Sequence, residues 1–308
     1  SVITSDQAVQ VNSIPERLLI IGAGSVGLEF ATLYSALGSK VSVVEILDQV
    51  LPGIDSEIAR GLHRILSRQG IEISLRTTAS KLEGERPVVV TLSREEGETT
   101  VEVDQILVSV GRRASTQGLG LDTIGVSLTE DGFIKVDEGR RTSVPHIYAI
   151  GDITGPPLLA HKAMTEGVVA AEAIAGLPSL FNPVAIPNCI FTQPEVATVG
   201  LSEEEARKRG YDVSVGKFPL AASGKAMVLG EPLGLAKVVA ERKTGLLLGM
   251  HLLAPEASSL IGEGVLALEL GTSAEELAST IHPHPTLGEV LRESAANLFK
   301  KAIHVPNQ

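Results

Sequence analysis

A single cysteine, Cys189, is the most telling shortage in this 308-residue sequence. It excludes an intrachain disulfide framework and a cysteine-rich zinc site, so no metal centre is expected, and it fits a chain of the reducing cytoplasm. Blocks of basic residues are also missing, and the formal net charge is −11. An acidic chain without a basic stripe has no electrostatic means of holding nucleic acid or an anionic membrane, so neither is expected as a partner. No apolar run is long enough for a membrane-spanning helix, no signal-peptide pattern opens the sequence, and there is neither a fixed-period repeat nor a low-complexity tract. The first residue is Ser1 rather than methionine, so the chain is expected to have been processed, trimmed or cut from something longer.

The residues that are present suit a core-forming globular protein, with 44% hydrophobic and 20% charged residues. The length suggests two or three domains. Residues 17–21 (RLLII) form a continuous apolar run, as in a buried parallel strand; a glycine-rich turn and a helix ending near Gly38 follow, then a second strand at 40–45. Asp55 and Ser56 are placed to cap a helix running to Gln69, which Gly70 stops. Short strands are expected at 71–75, 88–92 and 101–103, and a buried one at 106–110. A loop at Gly118–Gly125 marks the first boundary. Beyond it come short strands at FIKV and IYAI within 133–150, a helix from about Leu159 to Ala175, and a proline-rich linker, Gly176–Pro187. The remainder predicts strands at 189–192, 196–200, 213–218, 234–241 and 246–253. Helices are expected after Ser202, with Glu205 completing a capping box, and at 256–270, 273–278 and 286–302. Strands followed by helices indicate an α+β domain rather than a further doubly wound unit.

The clearest functional signal is Gly22-Ala23-Gly24-Ser25-Val26-Gly27. A G-x-G-x-x-G is weak alone, but this one directly follows an apolar strand and opens a helix, the context of a Rossmann dinucleotide turn. Gly22 permits the tight turn, Gly24 lets backbone approach the pyrophosphate, and Gly27 lets helix and strand pack closely. Glu45, at the end of the second strand, is 23 residues after Gly22. A carboxylate there accepts from both adenosine ribose hydroxyls and repels a 2′-phosphate, so NAD is expected over NADP; Ile46 and Leu47 follow it, leaving no arginine at hand. Glu29 reads on its own as an exposed helix carboxylate. Gly111 reads equally as a turn glycine or as a point of close approach for the nicotinamide half.

Tyr148-Ala149-Ile150-Gly151-Asp152 reads as a buried strand ending in Gly-Asp, and Leu158-Leu159-Ala160-His161 opens a helix. The Asp152 carboxylate could hold a sugar or polyol hydroxyl and the helix N-terminus could stabilise negative charge on a reduced ring; a plain turn explains the same residues equally well. Near the C-terminus, His282-Pro283-His284-Pro285-Thr286-Leu287-Gly288-Glu289 places a proline after His284. That proline is expected at the first helical position, holding His284 at an exposed helix entrance with Glu289 one turn further on. A histidine with a carboxylate partner suits a base near neutral pH; a surface histidine pair capping a helix is the plainer reading.

Together, Gly22–Glu29, Ser109-Val110-Gly111-Arg112, Thr142–Asp152 and Leu159–Gly167 (LAHKAMTEG) resemble the flavin-dependent pyridine nucleotide–disulfide oxidoreductases, and within that family the members that oxidise dihydrolipoamide. The resemblance spans essentially the whole sequence, with its motifs in family order. It implies an NAD-binding Rossmann domain at 1–114, the C-terminal portion of an FAD-binding domain at 115–184, and an α+β interface domain for homodimerisation at 185–308. It implies that Asp152 holds the ribityl chain of FAD, that Leu158, Leu159, Ala160 and His161 lie beside the flavin, and that Glu29 and Gly111 line the nicotinamide site. It implies that His284 is the base taking a thiol proton, with Glu289 orienting it, and that this pair serves the opposite subunit. The implied partner is the lipoyl-bearing acyltransferase of 2-oxo acid dehydrogenase complexes. The family reaction needs two cysteines beside the flavin, which are missing. Cys189, in an apolar strand, reads as a buried structural thiol. The sequence is therefore expected to be about the last two-thirds of such an enzyme, with little or no activity alone; the alternatives are a non-catalytic NAD-binding dimeric module or another disulfide reductase or NADH oxidase of the same family.

Overall fold

The computed structural model describes residues 2–10, 12–85 and 87–306. By contacts it divides into two compact units, one made of residues 1–111 and 187–308 and the other of residues 112–186.

In the first unit, the apolar run at residues 17–21 is strand β2 (Arg17–Ile21) of a wholly parallel sheet. The other strands are β1 (Val2–Thr4), β3 (Lys40–Val44), β4 (Glu72–Ser74) and β8 (Gln105–Val108), in the order β1-β8-β2-β3-β4. Leu18, Leu19 and Ile20 are fully buried, as a central strand covered on both faces requires. The crossovers are α2 (Ser25–Ala36) and α3 (Ser56–Arg68). Helix α3 is strongly amphipathic and buries Ile58, Leu62, Ile65 and Leu66. Strands β5 (Thr78–Glu83), β6 (Val88–Arg94) and β7 (Gly97–Val103) form a separate antiparallel sheet between β4 and β8. It packs Val88, Val90, Leu92 and Val103 with Leu19, Val44 and Ile106.

The C-terminal part of this unit is an antiparallel sheet of β9 (Asn188–Ile190), β10 (Glu195–Gly200), β11 (Val213–Pro219), β12 (Leu235–Glu241) and β13 (Leu247–Ala254), in the order β11-β12-β13-β10-β9. With it go helices α5 (Glu203–Lys208), α6 (Gly224–Leu229), α7 (Ala257–Glu269), α8 (Ala274–Ser279) and α9 (Glu289–Leu298). The two sheets share a core, in which Ile190, Val196 and Leu253 join Leu62, Leu66 and Ile71. They also share buried charge. Asp55 caps α3 through the Glu57 amide at 3.0 Å and pairs with Lys237 of β12 at 2.8 Å. Lys237 is only 2% exposed and also reaches Glu203 at 2.9 Å and Glu57 at 3.3 Å. Burial raises the Asp55 carboxyl, but the hydrogen bond and charge of Lys237 outweigh it and hold it below its ordinary value. His251 of β13 lies in the same field, gives Nε2 to the Leu201 carbonyl at 3.0 Å, and leaves Nδ1 buried without a partner; burial lowers its pKa.

The second unit is sparser. It carries α4 (Ala160–Ile174), a 3-10 turn over Gly151–Thr154 and a small core around Val126, Ile134 and Ala149. The strands expected at FIKV and IYAI are not formed. Each contributes one isolated bridge, Leu128 to Ile134 and Arg141 to Tyr148. Their amides go to scattered loop acceptors rather than to one partner strand: Ile134 donates to Ile153, Lys135 to Ser127, Ile147 to Val144 and Ala149 to Arg140. Elsewhere β1, β5, α6 and a short α1 (Ser5–Ala8) appear where no element was expected. The capping box expected at Ser202 is only half formed, since Ser202 accepts from the Glu205 amide without a return bond, whereas Ser273 and Glu276 form a reciprocal one. Among the described residues, no helix is long and apolar enough to cross a membrane.

Candidate functional site

The glycine turn sits at the C-terminal edge of β2, and its geometry explains each glycine. Gly22 has φ of 103°, and a Cβ there would stand 2.6 Å from the Ser109 carbonyl oxygen of the neighbouring strand's end. A Cβ on Gly27 would collide with the Gly22 carbonyl and come within 2.7 Å of Ser109 Oγ, so only glycine lets α2 lie this close. Ser109 ties the turn down by donating its hydroxyl to the carbonyls of Ile21 (3.0 Å) and Gly22 (3.1 Å). Gly24 is different: nothing lies within 4 Å of where its Cβ would be. It N-caps α2, and no side chain caps that helix. The open face at Gly24 and the uncapped first turn are what a pyrophosphate needs, so the residues present fit a dinucleotide.

Glu45 follows β3 and is 7% exposed. Its carboxylate accepts from the Ala23 amide at 2.8 Å and the Leu47 amide at 3.0 Å, so the acid and the glycine turn form one rigid piece. Leu51 adds a backbone bond to Ala23 at 2.9 Å. The expectation that no arginine is at hand needs correction. Arg76, remote in sequence, donates its amide to the Leu47 carbonyl at 2.9 Å and has its guanidinium 3.8 Å from Asp48. Glu29, on α2, accepts from the Phe191 amide at 2.9 Å and so ties α2 to the residue after β9. Gly111 has φ of 126° with open space where a Cβ would point.

In the second unit, Asp152 is exposed on the 3-10 turn rather than at a strand end. The signal that sequence reasoning missed is Glu166, inside the LAHKAMTEG segment. It is fully buried and accepts from Gly151 N at 2.6 Å, Arg140 Nη1 at 2.8 Å and Lys162 Nζ at 3.2 Å. Lys162 in turn donates to the Gly155 carbonyl at 2.9 Å, and Arg140 stacks over Phe181 at 4.7 Å. Both ends of the Gly151–Gly155 turn therefore hang on buried charges of α4. A charged residue at the helix spacing 162/166 was the available clue. Leu158 and Leu159 precede α4, Ala160 and His161 begin it, and no side chain caps its first turn. An exposed carboxylate on a fixed turn beside an uncapped helix start suits a polyol chain and an electron-rich ring, so these residues fit a flavin.

His284 and Glu289 come together as expected. Nδ1 of His284 lies 2.8 Å from Glu289 Oε1, and Glu289 Oε2 accepts from the Thr286 amide at 2.8 Å. Burial raises the Glu289 carboxyl, but the Thr286 amide and His284 outweigh it, so it stays ionised well below neutral pH. His284 is 67% exposed, leaving Nε2 open to a reactant. The route to this geometry differs from expectation. Pro285 is not the first helical residue; α9 starts at Glu289 with Gly288 as its N-cap, so the acid at the helix start reaches back to the loop histidine. His282 is engaged separately, with Nε2 3.0 Å from Glu263 and Nδ1 3.1 Å from the Thr280 carbonyl. Cys189 is half-buried rather than buried; burial and Glu195 push its thiol pKa up, which disfavours the reactive thiolate. Among the described residues, no three His, Cys, Asp or Glu side chains group as a metal site.

Comparison with known proteins gives two family matches: pyridine nucleotide-disulphide oxidoreductase over residues 1–167, and the dimerisation domain of the same name over residues 186–295. A dihydrolipoyl dehydrogenase of Thermus scotoductus is 48% identical over 99% of this chain and 67% of its own. One from Geobacillus stearothermophilus is 42% identical over 99% of this chain and 65% of its own. The chain thus spans about two thirds of the length of these relatives. Among solved structures, the HOCl-induced flavoprotein disulfide reductase RclA of Escherichia coli superposes with a TM-score of 0.88 at 28% identity, covering 96% of this chain and 68% of that one.

Proposed function

We propose, from the fact that the chain belongs to the pyridine nucleotide-disulphide oxidoreductase family, that it is the greater part of a dihydrolipoyl dehydrogenase. Residues 1–114 bind NAD, residues 115–184 complete an FAD-binding domain, and residues 185–308 dimerise. Gly22, Gly24 and Gly27 with the start of α2 hold the pyrophosphate. Glu45 accepts from the ribose hydroxyls, and Glu29 and Gly111 face the nicotinamide. Asp152 holds the ribityl chain, with Leu158, Leu159, Ala160 and His161 along the flavin. FAD, when bound, supplies the two-electron relay between a dithiol and NAD. His284 takes the proton of a dihydrolipoyl thiol at Nε2 while Glu289 fixes Nδ1 and balances the charge. Because this pair lies on the dimerisation part, it serves the partner subunit of a homodimer. The reductant is borne by the lipoyl acyltransferase of 2-oxo acid dehydrogenase complexes, in the cytoplasm.

The observation that carries this reading is the 2.8 Å His284–Glu289 pair with its solvent-facing Nε2. In the whole natural protein, His284→Gln is expected to slow dihydrolipoamide oxidation by about 10²–10⁴-fold while NADH binding stays unchanged. Activity within tenfold of the parent would sink the assignment.

A second reading, favoured by the lone half-buried Cys189, is an NAD-binding, dimer-forming module that cannot by itself form the redox disulfide. The visible absorption spectrum of the purified 308-residue chain separates the two. Stoichiometric flavin bands favour the dehydrogenase; a colourless protein that binds NAD favours the module.

A further inference from the structure

The edge beyond β3 is where NAD and NADP are told apart, because the adenosine 2′ position carries a hydroxyl in one and a phosphate in the other. Sequence order puts Glu45, Ile46 and Leu47 there. The fold brings a cation to the same edge. After β4 the chain turns across the end of β3, bound to it by three backbone hydrogen bonds. The Glu45 amide donates to the Ser74 carbonyl at 2.9 Å, Arg76 to Leu47 at 2.9 Å and Thr77 to Glu45 at 2.8 Å. Arg76 is held in the left-handed region with φ of 50°, a conformation that persists in a residue with a side chain only where the surroundings fix it.

We propose that Arg76 and Asp48 are specificity-determining residues. Arg76 is a phosphate ligand held off by Asp48, and this pair together with Glu45, rather than Glu45 alone, sets the choice of nucleotide. The inference rests on the reading that the glycine turn binds NAD. The guanidinium is committed to nothing stronger than Asp48, at 3.8 Å, with both side chains about two-thirds exposed (67% and 71%). A pair so long and so wet is easily exchanged for a better anion. Its neighbour Arg94 is spent on the loop, giving Nη2 to Ser74 Oγ at 2.8 Å and Nε to Thr77 Oγ1 at 3.1 Å. Arg76 and Arg94 line an open cavity of about 390 Å³ that also carries Glu95, Glu96 and Glu98. At the ribose edge itself stand two acids, Glu45 and Asp48, against one base, Arg76. With Glu95, Glu96 and Glu98 on the adjoining cavity, this acidic surrounding rejects a dianionic phosphate. Neutralising Glu45 and Asp48 removes the two acids of the edge itself and leaves a guanidinium whose fork matches phosphate oxygens.

The test is to titrate the protein separately with NADH and NADPH, following nicotinamide fluorescence. The wild-type protein is expected to bind NADH and to bind NADPH more weakly. Glu45→Ser with Asp48→Asn should raise NADPH affinity by at least about tenfold, and Arg76→Ala in that background should remove most of the gain. Glu45 also holds the glycine turn, so Asp48→Asn alone is the companion variant. It keeps that carboxylate and should give a several-fold rise in NADPH affinity that again needs Arg76. A gain that survives Arg76→Ala, or no gain in either variant, overturns the role of Arg76 and leaves NAD binding intact. A wild-type protein that binds neither nucleotide removes the glycine-turn reading, and this inference with it.

Discussion

The two compact units each bury a cluster of charge, and the clusters are built in opposite senses. Around Lys237, one ammonium faces three carboxylates, those of Asp55, Glu57 and Glu203. Around Glu166, one carboxylate faces two cations, Arg140 and Lys162. The acid-rich cluster joins distant parts of the chain, since Asp55 caps α3 and Lys237 lies on β12, 182 residues away. The base-rich cluster is local and holds a single turn, Gly151–Gly155, by its backbone. In both, loss of the central group strands a buried partner, Asp55 in the first and Lys162 in the second, whereas Glu57 and Glu203 keep Lys217 and Arg207; a buried charge without a partner is far costlier than the pair is stabilising. The first arrangement serves to join two sheets, the second to fix one turn that presents Asp152.

Removing the centre of the acid-rich cluster should have the largest effect. Lys237→Met leaves Asp55 buried without its cation and is expected to cost about 3–5 kcal/mol, read as faster hydrogen exchange in both α3 and β12. Loss of protection confined to β12 would show that the cluster does not join the two sheets. Glu166→Gln keeps the shape and one acceptor but removes the charge, and should cost about 2–3 kcal/mol, confined to the 151–155 turn and α4. A cost equal to that of Lys237→Met would erase the difference drawn between the clusters.

The pH dependence should be the mildest of the three and should single out the acid-rich cluster. Asp55 and Glu203 have folded pKa values below their ordinary 3.8 and 4.5, because Lys237, joined for Glu203 by Arg207, outweighs burial. Their contribution is complete above those values and is lost as pH falls through the folded ones. Neighbouring His251 has its pKa lowered from 6.5 by burial, so below about pH 6.5 the unfolded chain binds a proton that the folded chain refuses. Lys237 is raised above 10.5, because its acids outweigh burial, and its contribution is lost only as pH climbs past that range. Acid titration should therefore loosen α3 and β12 in two stages, beginning near pH 6.5 and deepening below about 4.5. A single stage below 4.5 would remove His251 from the account.

What could be read from the sequence was what is local along it. The glycine turn, Glu45 and the His284–Glu289 pair lie within short stretches, and strand, turn and helix signals agree there. The Rossmann strands and α3 were legible because burial dictates an unbroken apolar run in one and a 3.6-residue period in the other. Asp55 was legible only as a helix cap, since its partner Lys237 is far off in sequence and its pairing depends on how two sheets meet. Arg76 was invisible at the ribose edge for the same reason. The FIKV and IYAI segments have strand-like composition, but their amides bond to scattered loop carbonyls rather than to a partner strand, a choice that hydropathy does not record. Pro285 misled because a proline can precede a helix by several residues as well as begin it, and only the Glu289 contact shows which.

Both oxygens of Glu45 are already engaged by the amides of Ala23 and Leu47 before any nucleotide arrives. A free glutamate side chain would surrender roughly 1.5–2 kcal/mol of rotamer entropy on being fixed by a ligand. Here folding has absorbed that loss in advance. On the role proposed for Glu45, the ribose meets an acceptor that neither searches nor waits, and recognition at this edge becomes a matter of fit rather than of closure.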